Sequence, residues 1–191
     1  MDNGPAYEPR FFSAGAESIH LPRWNELPDL ELYMDQVITL INKYISPLSA
    51  DTDAPLTPSM INNYVKLDIL PAPIKKKYSR IHISRLIMIC VFKPILPIPL
   101  IGTLIDILLN TRSDEEMFNY FSEHYELAFA RTNEIIRDAL TEISKSEADD
   151  ESILSLAVMQ AAAVSGGGKL LAEKALSELM NGEPIDDDSK Y

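Results

Sequence analysis

The sequence predicts an all-α protein with one short hairpin. Three observations carry that prediction. Apolar residues recur at helical spacing through most of the chain. Prolines cut these stretches into pieces, clustering near the N-terminus and at 94–99. No alternating strand pattern is longer than a hairpin arm, and no internal repeat stands out. With 191 residues, 46% hydrophobic and 24% charged, the chain can bury a sizeable core as one domain or as a small domain with an appended helical unit. Its single cysteine, Cys90, excludes an internal disulfide and suits a reducing cytoplasm. It lies in an apolar run, so a buried small hydrophobe is expected. The start MDNGPAYEPR lacks the basic and apolar segments of a signal peptide, and a cytoplasmic protein is expected.

The elements follow in order. Residues 1–20 are expected to form a flexible arm, with Phe11 and Phe12 able to anchor it to a neighbour. Leu21-Pro22-Arg23-Trp24 is a fixed lead-in with Trp24 packed on the domain. A helix from about Asp29 to Ser46 has Leu30, Tyr33, Met34, Val37, Ile38, Ile41 and Ile45 on its apolar side. A solvated loop covers Ser46–Pro55. Thr57 is an N-cap and Pro58 a first helical residue. The helix they open turns Met60, Ile61, Tyr64, Val65 and Leu67 inward and leaves Ser59, Asn62, Asn63 and Lys66 outward. Asp68 stands where a left-handed residue ends the helix. Leu70-Pro71-Ala72-Pro73 cannot be helical, and Lys75-Lys76-Lys77 forms a basic hairpin or loop. Ser79 caps the next helix, which runs to Phe92 with Ile83, Leu86, Ile87, Cys90 and Val91 apolar.

Leu86–Leu109 is long enough to cross a membrane. Lys93, Asp106 and three prolines interrupt it. The expectation is two buried helices joined by a proline turn, the second from about Pro99 to Asn110. Ser113 caps a long helix, favoured at its start by Asp114, Glu115 and Glu116, that could run to Lys145. An acidic break at Glu147–Glu151 precedes Ile153–Val164 and Lys169–Met180, which read as two helices or as one interrupted at Gly166-Gly167-Gly168. The tail NGEPIDDDSKY is expected to be disordered.

Charge singles out one stretch. Residues 56–85 hold six basic side chains (Lys66, Lys75, Lys76, Lys77, Arg80, Arg85) against Asp68, a balance of +5 in a chain of −12, which leaves −17 elsewhere. Residues 111–191 carry seven basic and eighteen acidic residues, −11. A basic island in an acidic chain is the footprint of a phosphate-binding surface, or a face that pairs with acids of the same chain. Asn62 and Asn63 could pair with base edges, and Ser59 and Lys66 could contact phosphates. Other chemistry is not legible. Ser165-Gly166-Gly167-Gly168-Lys169 lacks the spacing of a phosphate loop, and Leu170 stands where Ser or Thr is needed. His20, His82 and His124 are scattered, His82 being expected at the surface, and give no metal-ligand spacing. No nucleophile and base can be paired, so neither an enzyme nor a cofactor or metal is expected.

The strings Leu21-Pro22-Arg23-Trp24, Tyr33-Met34-Asp35-Gln36, Leu56 to Lys66 (LTPSMINNYVK) and Lys75 to Arg80 (KKKYSR) resemble the YkrK-like proteins, a bacterial family of unknown function. The resemblance covers about residues 20–110. More distantly, the same stretch resembles the MerR-type DNA-binding domain, with Tyr64, Leu70, Pro71, Tyr78 and Ser79 in matching places. Asn62 stands where that domain usually has Arg, Asp68 where it has Gly, and the Gly-Tyr-Arg of its wing is missing. About ten residues separate the first two helices, where a helix-turn-helix needs about three or four.

The resemblance implies a MerR-like winged helix-turn-helix followed by a helical part. Its domains are an arm over 1–20, a helix-turn-helix-like domain with a short wing over 21–110, a helical dimerisation or sensing region over 111–182 and a tail over 183–191. The expected function is DNA-binding transcriptional regulation. The helix 58–67 would enter the major groove and the wing 75–80 would sit on phosphates. Contacts are expected from Ser59, Asn62, Asn63, Lys66, Lys75, Lys76, Lys77, Tyr78 and Arg80. The expected partners are double-stranded DNA, a second copy of the chain and a small-molecule or protein effector, with no membrane. The alternative is a protein–protein interaction adaptor that does not bind DNA.

Overall fold

The computed structural model describes residues 19–48, 56–144 and 149–181. The expected arm (but for residues 19 and 20), most of the loop 46–55, part of the acidic break and the expected tail lie outside the described residues. Six α-helices and one two-stranded sheet are present among them. We label the helices α1 (Met34–Ile45), α2 (Pro58–Lys66), α3 (Arg80–Phe92), α4 (Ile98–Leu109), α5 (Asp114–Ser144) and α6 (Asp150–Asn181). The strands are β1 (Leu32–Tyr33) and β2 (Lys77–Tyr78). The protein is mostly helical, as its periodicity requires.

The chain falls into two compact units, one over Ser18–Ala130 and one that includes the described residues from Arg131 onward. In the first unit α3 is the central helix. Nine of its residues, from His82 to Val91 with only Arg85 excepted, are buried. No polar stripe is needed, because neighbours surround it. The apolar side of α1 (Val37, Ile41, Ile45) packs on α3. Ile61 and Tyr64 of α2, Leu70, Ile101 and Ile105 of α4, and Met117 and Phe118 of α5 complete the core. At about 25 cal/mol per Å2 of apolar surface, each fully buried Leu, Ile or Phe contributes roughly 1.5–3 kcal/mol.

The lead-in is clamped onto α5. Arg23 donates two hydrogen bonds to the Glu126 carboxylate, at 2.9 and 2.6 Å. The Leu21 amide adds a third at 2.7 Å. The Trp24 amide donates to Asn119 Oδ1, and the buried Ser122 hydroxyl donates to the Pro22 carbonyl. The Arg23 hydrogen bond, followed by that of the Leu21 amide, holds Glu126 below the ordinary carboxylate range against the opposing effect of burial. These bonds join residues 21–24 to residues 119–126, so the compact unit passes the boundary expected at 110 and extends to Ala130.

Several local expectations are corrected. The first long helix starts at Met34, not Asp29, because Leu32 and Tyr33 leave as a strand to pair with Tyr78 and Lys77. Leu30 is therefore 79% exposed and Tyr33 53%, off the apolar stripe. Leu67 caps α2 and is exposed. Helix α4 is buried only along Ile101, Gly102 and Ile105. Helix α6 is continuous through Gly166, Gly167 and Gly168, which meet no neighbouring atoms. The turn between α3 and α4 replaces the single long apolar span, as expected from its prolines.

In the second unit, Ile136 and Leu140 of α5 pack against Ile153 and Ala157 of α6. Ile135 of α5 stays exposed, as do Leu154, Val158, Met159, Leu170 and Leu171 of α6. By length and composition alone, α6 could cross a membrane.

Candidate functional site

The site is built on α2 and on the turn between α2 and α3. The Thr57 hydroxyl accepts from the Met60 amide at 3.3 Å, and Pro58 occupies the first turn. Ile61 and Tyr64 go into the core. This leaves Ser59, Asn62, Asn63 and Lys66, at i, i+3, i+4 and i+7, exposed along one stripe. The helix ends in a Schellman motif. The Ile69 amide donates to the Tyr64 carbonyl and the Asp68 amide to the Val65 carbonyl. Asp68 supplies the left-handed residue, φ 58°. Ile69 then packs on Gly102, where a Cβ would approach its Cγ1 to 2.9 Å.

After Pro71–Pro73 the chain makes a hairpin. The Lys77 amide donates to the Ile74 carbonyl at 2.9 Å, and these two residues form a bridge. Lys75 and Lys76 between them have φ 51° and 64°. Two central residues with positive φ are the pattern of a type I′ turn, where Asn-Gly is the preferred pair. Lysine in that conformation costs on the order of 1 kcal/mol per residue. Beyond the tip, β2 pairs with β1, so the turn is held against the entrance to α1.

The nine expected contact residues divide. Ser59, Asn62, Asn63, Lys66, Lys75 and Lys76 are exposed. Among the described residues, Lys66, Lys75 and Lys76 form no ion pair. Lys77 lies 3.9 Å from Glu31 and over the Tyr33 ring. Arg80 pairs with Asp29 at 3.2 Å and stacks on Trp24, 5.6 Å from the ring centre. Arg85 donates twice to Asp114. Tyr78 is only 2% exposed and belongs to the core, so its expected role as a surface contact is corrected: the pairing of β2 with β1 turns it inward. Burial raises its phenol.

His82 is likewise buried rather than exposed. Its ring stands edge-on to Tyr78, with centroids 5.4 Å apart. Its Nδ1 accepts from the Ser79 amide at 3.0 Å, and among the described residues Nε2 makes no well-formed hydrogen bond. Burial holds the imidazole below its usual range, and the Ala72 and Pro71 carbonyls only partly oppose this. Asp29, Glu31, Tyr33 and Trp24, which complete the site, were not legible from charge. They lie far from the island in sequence, and a two-residue strand is too short to show a period.

Elsewhere the chemistry is quiet. Burial pushes the Cys90 thiol up to about 11, which leaves it protonated at neutral pH. Among the described residues no group of three His, Cys, Asp or Glu side chains could hold a metal.

Fold and site together define a helical domain that presents a strained basic turn beside the exposed stripe of a short helix. A model for a domain of unknown function, DUF1836, matches residues 22–128, and the chain belongs to that family. The match begins at the lead-in and ends two residues past Glu126, so it takes in both ends of the clamp. No curated protein and no solved structure matches the chain.

Proposed function

We propose that this protein is a DNA-binding transcriptional regulator of the bacterial cytoplasm, related to the YkrK-like proteins and built on a MerR-like winged helix. In this reading α2 enters the major groove with Ser59, Asn62, Asn63 and Lys66. The hairpin lies on the phosphate backbone through Lys75 and Lys76, with Lys77 and Arg80 supporting it. The protein acts as a homodimer under an effector, without enzymatic activity or a cofactor.

The observation that carries the reading is the tip of the hairpin. Two lysines hold a left-handed conformation that Asn-Gly would adopt at little cost. They are exposed and form no ion pair among the described residues. Backbone strain of this kind clusters at functional sites. What lysine adds at these two positions is positive charge. The β1–β2 pairing supports the wing, since it fixes the turn to the body of the domain.

A second reading, an adaptor that binds protein instead of DNA, is favoured by a different observation. Lys77, Arg80 and Arg85 are paired with acids of the same chain. Ile74 is 69% exposed at the turn and bridges to Lys77, which pairs with the exposed Tyr33. A mixed basic and apolar surface suits an acidic peptide with apolar side chains.

The test is fluorescence anisotropy of random duplex DNA across a salt series, using the full chain and a Lys75→Glu/Lys76→Glu variant. Each phosphate contact contributes about 0.9 to the log–log slope. A slope that falls by about 1.8 in the variant supports the DNA reading. No binding at low salt overturns it and leaves the adaptor.

A further inference from the structure

We propose that the Ser18–Ala130 unit contains a binding pocket for an uncharged planar aromatic molecule, independent of the nucleic-acid reading. A cleft of about 270 Å3 opens between α3, α4 and α5. That volume lies just under the usual range of small-molecule pockets, about 300–1,000 Å3. Rings make up most of its wall. Phe92 and Phe121 meet edge-on at 5.3 Å, and Tyr125 follows Phe121 at 5.9 Å. On the other side His124 stacks on Tyr120 at 3.7 Å, held by its Nδ1, which lies 2.9 Å from the Tyr120 carbonyl. Leu108 closes the α4 side.

The lining selects the occupant. No Asp, Glu, Lys or Arg lines it and no polar atom faces the cavity, the nearest charge given for the wall being the Arg112 guanidinium over the Tyr120 ring, 4.8 Å from its centre. An ionised ligand would lose its hydration there and meet no charged group in the lining. A flat apolar ring gains burial together with stacked and edge-on contacts to the wall. The cleft holds about 270 Å3, room for one small ring system, whereas a stable protein interface covers roughly 800 Å2 on each partner. A small molecule therefore fits this cleft better than another chain does.

The test compares two fluorescent probes that share their rings. N-phenyl-1-naphthylamine is neutral, and 8-anilinonaphthalene-1-sulfonate adds a sulfonate. Each is titrated with the full-length protein. The expected result is saturable one-to-one binding of the neutral probe, about tenfold or more tighter than the sulfonate, a gap of about 1.4 kcal/mol. Ala128→Trp, at an exposed position on the pocket wall, fills the cleft and weakens the neutral probe at least tenfold with the melting temperature unchanged. Tyr120→Ser, at another exposed position, removes one ring and weakens it in the same direction, which covers the case in which the tryptophan variant does not fold. Unsaturable binding, equal affinity for the sulfonate, or variants that fold and bind as the native chain does would overturn the proposal. Any of these results would mean that the probe senses exposed apolar surface elsewhere.

Discussion

Replacing Lys75-Lys76 with Asn-Gly separates backbone strain from charge. Both lysines have positive φ, 51° and 64°, in a turn closed by the Lys77 amide. Relief of strain is worth about 1 kcal/mol at each position, roughly 2 kcal/mol in all. Glycine at the second position returns about 0.7 kcal/mol through the greater freedom of the unfolded chain. The net expectation is a gain of about 1 kcal/mol. For a unit the size of Ser18–Ala130 this raises the melting temperature by about 4 °C. The same substitution removes both charges, so DNA affinity falls while stability rises. Lys75→Ala/Lys76→Ala is the control: it removes the charges and keeps a strained backbone, so binding falls with no gain in stability. The assays are thermal unfolding by circular dichroism and the salt-dependent anisotropy described above. If the Asn-Gly variant is no more stable than the native chain, the turn is not strained as described. If it is more stable and binds DNA unchanged, the lysines are not the phosphate contacts.

Three further predictions concern stability. Glu126→Gln weakens the clamp on Arg23 and costs about 2 kcal/mol, since the pair is largely shielded and charge-assisted. Because the folded pKa of Glu126 is depressed, its contribution is complete above its unfolded value of about 4.5 and is lost as pH falls through the lower folded value, so the variant shows a flatter urea-unfolding profile in acid. His82 also has a depressed folded pKa, and the unfolded chain takes up its proton first. Stability therefore declines as pH falls below about 6.5, and His82→Asn removes that slope in pH-dependent melting. Gly166, Gly167 and Gly168 lie inside α6 with open space around them, so their replacement by alanine adds up to about 1 kcal/mol each to the helix and leaves its far-ultraviolet signal unchanged while its melting temperature rises; a clearly larger helical signal in the variants would show that the native helix is interrupted there.

Much of this protein is local and was legible in the order of its residues. Thr57-Pro58 sets the start of α2, Asp68 takes the left-handed position at its end, and Ser113 with Glu116 opens α5. These are decided within a few residues by backbone sterics and unpaired amides, and the sequence states them directly. The outward stripe of α2 and the lysine turn were legible for the same reason. The charge count located the basic island but could not show that Asp29, Glu31 and Asp114 neutralise half of it. Those pairs join residues 29 to 51 positions apart, and charge acts through space.

Tertiary structure decided the rest. Tyr78 and His82 look like surface residues beside a basic run, yet the pairing of Tyr78 with Leu32 and the packing around α3 carry them into the core. Glycines that read as a break are helical, because nothing in α6 competes with continuing the helix across them. The extent of the unit depends on Arg23 and Glu126, 103 residues apart. Spacing along the chain carries local geometry, whereas only packing determines which distant carboxylate meets which guanidinium and which ring is turned inward.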